Sequence, residues 1–402
     1  MRSRDLVGRL VLAAAVLSRI ESAGAAPPTR KLLGPHEREA VLALIKAVDV
    51  AQANDVGPDP EVAWEYHVLK SANYTGYVPF TLTPAKAYSA AAMYVRAVSR
   101  HDGVRSSSEH SHLRDWLLNN RDVRPRQSET MWVGIGEMPL AGLAGASSRP
   151  ATAAAAAASA ALRMQANDLE KAIRAAGEAK RKAEARQLDP LVFPFEEYYF
   201  FELGSTRAVE RALALPPGEY DVYVGMIDRA RVKTSSPAIV RRTVTVPDFW
   251  DDRLALSSLI LARDLRALKA AFPAPQQAEH PYAFGSAEVV PASGAAFAAD
   301  EALTVVYQMC NYGAPDSDVT ANYTFYRLDG GRRLFNRTNT QQLSDVDLPA
   351  AGAWESQAFV SQTVPLQPFP PGQYELEVEV RDRVTRGTAK ASVAFTVVSG
   401  LR

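Results

Sequence analysis

The chain has 402 residues, 45 Lys and Arg against 45 Asp and Glu, 47% hydrophobic residues and a single cysteine. Balanced charge argues against the basic surface of a nucleic-acid binder, and one cysteine excludes an intrachain disulfide, a Cys-cluster zinc site and an iron–sulfur centre. No run of 18 apolar residues occurs, so no membrane span is expected, and the length suits two or three domains.

Residues 1–25 read as a secretory signal peptide. Arg2, Arg4 and Arg9 precede the apolar run Leu10–Leu17, and Ala23-Gly24-Ala25 offers a small-residue cleavage site. The expected location is the periplasm or the outside of the cell. Residues 26–62 form an N-terminal helical segment. Pro35, Glu37 and Glu39 suit a helix start, Val41, Leu44, Ile45 and Val48 mark one apolar face, and residues 54–60 (NDVGPDP) end it.

From about Trp64 the pattern changes to short runs rich in Val, Tyr, Phe and Thr. Tyr374, Leu376, Val378 and Val380 alternate with Glu375, Glu377, Glu379 and Arg381, the signature of a strand with one face buried. Val393, Phe395 and Val397 repeat it, and so do Leu303, Val305, Tyr307 and Met309. Between these β regions, residues 151–188 are rich in Ala, Lys, Arg and Glu and predict a long helix ended by Asp189-Pro190.

An internal duplication organises the rest. Residues 216–229 (PPGEYDVYVGMIDR) and 370–383 (PPGQYELEVEVRDR) are identical at seven of 14 positions. Upstream, residues 197–203 align with 322–328, and Val78-Pro79 with Tyr94 aligns with Val290-Pro291 and Tyr307. A glycine turn followed by a tyrosine that opens a late strand is the pattern of a tyrosine corner. Tyr220 with Gly218, and Tyr374 with Gly372, are therefore the structural candidates.

The expected fold is mainly β: two immunoglobulin-like β-sandwiches, the first split by a partly helical insertion, plus a short N-terminal helix. The first sandwich spans 63–250 with the insertion at 101–190, a connector covers 251–282, and the second sandwich spans 283–402, each with its own core. Residues 246–249 (VPDF), 254–261 (LALSSLIL) and 369–374 (FPPGQY) resemble a group of secreted acidobacterial proteins. Their tandem C-terminal β-sandwich segments often follow a von Willebrand factor A-related domain. The resemblance covers roughly 190–402, implies the tandem fold and brings no activity with it.

Chemistry is sparse. There is no Gly-x-Ser-x-Gly, P-loop or His-Glu-x-x-His. Cys310 sits on the strand face opposite Tyr307 and reads as a core residue. Glu109, His110 and His112 are the one candidate metal cluster, since histidines two apart share a side of an extended segment. The serine-rich surroundings favour a solvated loop, and no cofactor is expected. The aromatic run at 193–201 (FPFEEYYFF) predicts a strand with half its rings in the core and the others under the insertion helix. The leading reading is a secreted, non-enzymatic binding or scaffold protein with a protein or glycan partner. The alternative is a metal-dependent hydrolase centred on the insertion.

Overall fold

The computed structural model describes residues 33–54, 62–71, 74–84, 88–100, 112–119, 140–141, 193–202, 208–251, 253–272, 274–313, 318–343 and 357–399. Residues 1–25, read as a signal peptide, and residues 151–188, expected to form a long helix, lie outside these residues. Helix α1 (Pro35–Ala53) starts where the proline and the acids place it, with Glu37 accepting from the Gly34 amide at 3.0 Å. Ala40, Val41, Leu44, Ile45 and Val48 are buried on one face.

The first sandwich has two antiparallel sheets. In sheet I, β3 (Gly76–Pro84) is flanked by β1 (Val62–Tyr66) and β2 (Leu69–Lys70) on one edge and β7 (Val209–Leu215) on the other. Sheet II runs β6 (Phe195–Phe201), β4 (Ala91–Ser99), β8 (Gly218–Asp228), β9 (Ala238–Val246).

The second sandwich repeats this order. Sheet III runs β12 (Ala283–Phe284), β13 (Ala287–Pro291), β11 (Ile260–Ala267), β15 (Ala302–Cys310), β19 (Gln357–Pro365), β5 (Leu140–Ala141), with β10 (Ala255–Leu256) also on β15. Sheet IV runs β14 (Ala296–Ala298), β21 (Thr388–Val398), β20 (Gly372–Asp382), β16 (Val319–Arg327), β17 (Arg333–Arg337), with β18 (Gln341–Gln342) on β16.

Register fixes how the two copies correspond. Ser99 of β4 lies opposite Tyr220, and Arg327 of β16 lies opposite Tyr374. The strand equivalent to β16 is therefore β4. This corrects the alignment of 197–203 with 322–328: β6 matches β17, and Tyr94 and Tyr307 sit on different strands of the two sandwiches. Shared aromatic content aligned strands that topology separates. The insertion then takes the place of a short hairpin link, since β16 reaches β17 through residues 328–332 while β4 reaches β6 through 100–194. The connector expected at 251–282 is likewise corrected, because β10 and β11 within it are the leading strands of sheet III.

The sheets stack in the order II, I, III, IV, with α1 on the outer face of sheet II. Sheet III is buried on both faces. Leu303, Val305, Tyr307 and Met309 enter the second core, while Val306 and Cys310 join Ile260, Ala262 and Phe359 in the core of the first sandwich. Two separate cores were expected, but the first core crosses into the second sandwich. At about 25 cal/mol per Å² of apolar surface removed from water, this shared packing ties the units strongly.

Polar contacts set its register. The Lys70 amide donates to Gln308 Oε1 at 2.7 Å, and Gln308 Nε2 donates to the Lys70 carbonyl and to Gln357 Oε1. The Tyr77 hydroxyl donates to the Pro281 carbonyl at 2.9 Å. His67 Nδ1 lies 3.1 Å from the Tyr282 hydroxyl.

Candidate functional site

Stacking decides which sheet faces remain open. Sheets I and III cover each other, and their other faces form the two cores. The outer face of sheet II carries Ala92, Tyr94, Val98, Tyr198, Tyr223 and Ile227, packed under α1 and under Leu113 and Leu117 of α2 (His112–Asn119). The equivalent face of sheet IV has no such cover among the described residues.

That face is polar because every second residue of β20 is charged. Glu375, Glu377 and Glu379 point outward while Leu376, Val378 and Val380 are buried. Register places Tyr326 and Ala394 beside Glu375, Thr324 and Ser392 beside Glu377, and Asn322 and Lys390 beside Glu379. Arg332 donates from Nε to Glu375 at 3.1 Å and from Nη2 to Glu377 at 3.0 Å, and stacks over the Tyr326 ring at 3.4 Å. Lys390 Nζ lies 2.6 Å from Glu379 Oε2, and Arg381 Nε donates to Glu379 at 2.6 Å.

Hydrogen bonds from Lys390 and Arg381 hold the Glu379 carboxyl below its usual range, and the bond to Glu379 raises Lys390. Such carboxylates are poor proton acceptors. The face offers paired donors and acceptors, small side chains beside the acids, and one aromatic platform.

The tyrosine candidates occupy equivalent places. Tyr220 donates to the Pro216 carbonyl at 2.8 Å, and Tyr374 donates to the Pro370 carbonyl at 2.7 Å. Gly218 and Gly372 have φ of 153° and 156°, and a Cβ on Gly218 would lie 3.2 Å from the Tyr220 hydroxyl. Phe335, Phe369 and Phe395 surround the Tyr374 ring. Both residues are structural.

Of the metal candidates, Glu109 and His110 lie outside the described residues, and His112 is placed only as the first residue of α2. Among the described residues no group of three or more His, Cys, Asp or Glu is arranged to hold a metal ion. Cys310 is fully buried opposite the Tyr307 face, and burial pushes its thiol up to about 12. In the aromatic run, Phe195 and Tyr199 enter the first core. Phe193 and Tyr198 lie with α1 and α2, so among the described residues it is these helices that cover that side; the insertion helix expected there lies outside them.

Sequence reasoning missed a buried polar cluster. Arg96 is fully buried beside its cross-strand partner Glu196. It donates to the Tyr94 hydroxyl at 2.8 Å, to Asp49 at 2.7 Å and to Gln52 at 3.2 Å, and stacks on Phe193 at 4.2 Å. Tyr94 donates to Glu196 at 2.5 Å, and burial followed by the Glu196 charge pushes its phenol well up. An arginine on a strand of otherwise apolar residues (AAMYVRAVS) was the available signal. The cluster locks α1 onto sheet II. A cavity of about 620 Å³ also lies between the chain at 247–256 and the β20–β21 turn, with Asp248, Asp251 and Arg253 on its wall.

No family model and no curated protein matches the chain. Among solved structures, a crystal structure of Bacteroides uniformis beta-glucuronidase is similar over 52% of this chain and 22% of its own, at 14% identity and a TM-score of 0.24. A calcium-binding mutant of Bacteroides uniformis beta-glucuronidase 2 is similar over the same shares at 13% identity and a TM-score of 0.22. This chain thus spans 22% of the length of either enzyme. Their activity is not carried to this chain. Among the described residues no helix is long and apolar enough to cross a membrane.

Proposed function

We propose that this chain is an exported, non-enzymatic binding or scaffold protein that engages a protein or glycan through the outer face of sheet IV. The observation that carries the reading is the contrast between equivalent faces. On sheet II the face is buried under α1, with Arg96 and Glu196 sealed beneath the helix, whereas on sheet IV it is open among the described residues and organised into ion-paired rows around Tyr326 and Arg332. Export follows from residues 1–25, with cleavage after Ala25.

The test combines a glycan array with fractionated envelope proteins as probes. Wild type is compared with an Arg332→Glu, Lys390→Glu variant, which reverses two exposed charges. At least tenfold weaker retention with an unchanged melting temperature supports the reading. Equal retention moves function to another surface. Stoichiometric zinc and a hydrolytic activity, both lost in His110→Ala and His112→Ala, would replace the proposal with a metal-dependent hydrolase.

A further inference from the structure

The outer face of sheet IV departs from the anatomy of a protein-docking surface. Such surfaces place apolar and aromatic side chains at the centre and charges at the rim. Here the central strand β20 presents Glu375, Glu377 and Glu379. The exposed large apolar residues lie around them: Leu334 on the edge strand β17, Val384 in the β20–β21 turn and Val398 at the end of β21. A protein partner closing over this face would desolvate the ion pairs with no apolar centre to offset the cost.

Charge narrows the ligand further. Glu375 and Glu377 are answered by Arg332, Glu377 and Glu379 by Lys390, and Glu379 by Arg381 as well. An anionic ligand would meet the acids of β20, and a cationic one would have to displace Arg332 or Lys390. The groups left with hydrogen-bonding capacity, among the described residues, are three. Ser392 is exposed. Asn322 accepts at Oδ1 from Thr340 at 2.7 Å, which leaves Nδ2 as a donor. Arg332 bonds through Nε and Nη2, which leaves Nη1. Such groups exchange water for ligand hydroxyls with little loss.

Register sets the direction. Ser392, Glu377 and Thr324 form one row across three strands, and Lys390, Glu379 and Asn322 form the next. Neighbouring strands lie about 4.8 Å apart, close to the advance of one pyranose unit along an extended chain. Ser392 and Ala394, small and exposed, leave room beside Glu377 and Glu375.

We propose that the outer face of sheet IV binds an uncharged polysaccharide, laid across the strands along the Ser392–Glu377–Thr324 row, with Asn322, Ser392 and Arg332 hydrogen-bonding its hydroxyls. The inference rests on the reading of this face as the binding surface, and it assigns a glycan rather than a protein to it.

Affinity electrophoresis of the full chain tests it, in gels containing glucomannan, arabinoxylan, hydroxyethyl cellulose or dextran. Alginate is the charged control, and fractionated envelope proteins are probed in parallel. At least one uncharged gel should retard the wild type, with a Kd that changes less than twofold between 0.05 and 0.5 M NaCl, since an uncharged ligand escapes ionic screening. An Asn322→Ala, Ser392→Ala variant, which leaves every ion pair in place, should bind at least fivefold more weakly at an unchanged melting temperature. No retardation in any uncharged gel overturns the proposal, as does retardation that is equal in the variant or confined to alginate. An envelope protein retained by wild type and lost by the Arg332→Glu, Lys390→Glu variant, without retardation in the uncharged gels, overturns it while keeping the face as the binding surface. If no binding responds to that charge reversal, the face is not the binding surface and both readings fall.

Discussion

Lowering the pH below 6.5 should loosen the joint between the sandwiches through His67. Its Nδ1 lies 3.1 Å from the Tyr282 hydroxyl and its ring meets the Tyr282 ring edge-on at 5.6 Å, across the boundary between sheet I and the second unit. Burial pushes the imidazole down to about 4 from its ordinary 6.5. The neutral form is the one the fold accepts, so the native pKa lies below the unfolded one. Stability from this group is complete above 6.5 and is lost as the pH falls through 4. At 1.36 kcal/mol per pH unit, the full difference is worth about 3 kcal/mol, and about 2 kcal/mol is already lost at pH 5. His67→Asn keeps a polar group near Tyr282 and cannot titrate. Urea titrations of wild type and variant at pH 7.5, 6, 5 and 4 measure the effect, and carboxylates common to both cancel in the difference. The variant should lose about 2 kcal/mol less than wild type between pH 7.5 and 5. Parallel pH profiles would refute the assignment.

Further outcomes follow from other residues. Tyr374→Phe should cost about 1 kcal/mol through the lost bond to Pro370, and Tyr374→Ala about 3–5 kcal/mol through the emptied aromatic cluster, both read from urea titration. Because the first core extends into sheet III, fluorescence from Trp64 and Trp250 should report the same shifted transition; two resolved transitions would refute the shared packing. Burial, followed by the nearby Glu288 charge, raises the Glu210 carboxyl, so its stabilising protonated form is lost as the pH rises. Glu210→Gln should therefore be more stable than wild type at pH 7, with the gain gone below about pH 4, the ordinary carboxylate range. Arg96→Ala should cost about 3–5 kcal/mol by stranding Glu196 and Asp49, and should speed amide exchange in α1; an unchanged α1 would refute its role as the lock.

The parts of the fold legible in sequence are those with one wet and one dry side. α1 announced itself through Val41, Leu44, Ile45 and Val48, and β20 through its alternating glutamates, because water on one face forces polar residues into a fixed period. The strands in the middle of the stack carry no such record. In β15, Thr304, Val306, Gln308 and Cys310 are buried as fully as the residues between them, so alternation says nothing about what lies on either side. The candidate surface was half legible: β20 showed the acids, but Arg332 reaches them from the β16–β17 link and Lys390 from β21, through pairing that local pattern does not encode. The Arg96–Glu196 pair spans a gap of 100 positions in the chain, and His67 meets Tyr282 across an even longer one. The duplicated strands were matched one step out of place because β6 resembles β16 in its aromatic residues, whereas strand order follows from pairing.

The two-sided burial of sheet III has a consequence for how such a chain can change over time. Modules strung on exposed linkers can be copied, swapped or lost singly, since each leaves its neighbours' surfaces intact. Here, removing residues 283–402 would strip Phe284, Val306 and Phe359 from the first core and take Gln308 away from the Lys70 amide. The two tyrosine corners occupy equivalent places, yet the first core is complete only with side chains from the second sandwich. Variation can proceed at the outer face of sheet IV and in the graft between β4 and β6, and those are the places where one relative would differ most from another.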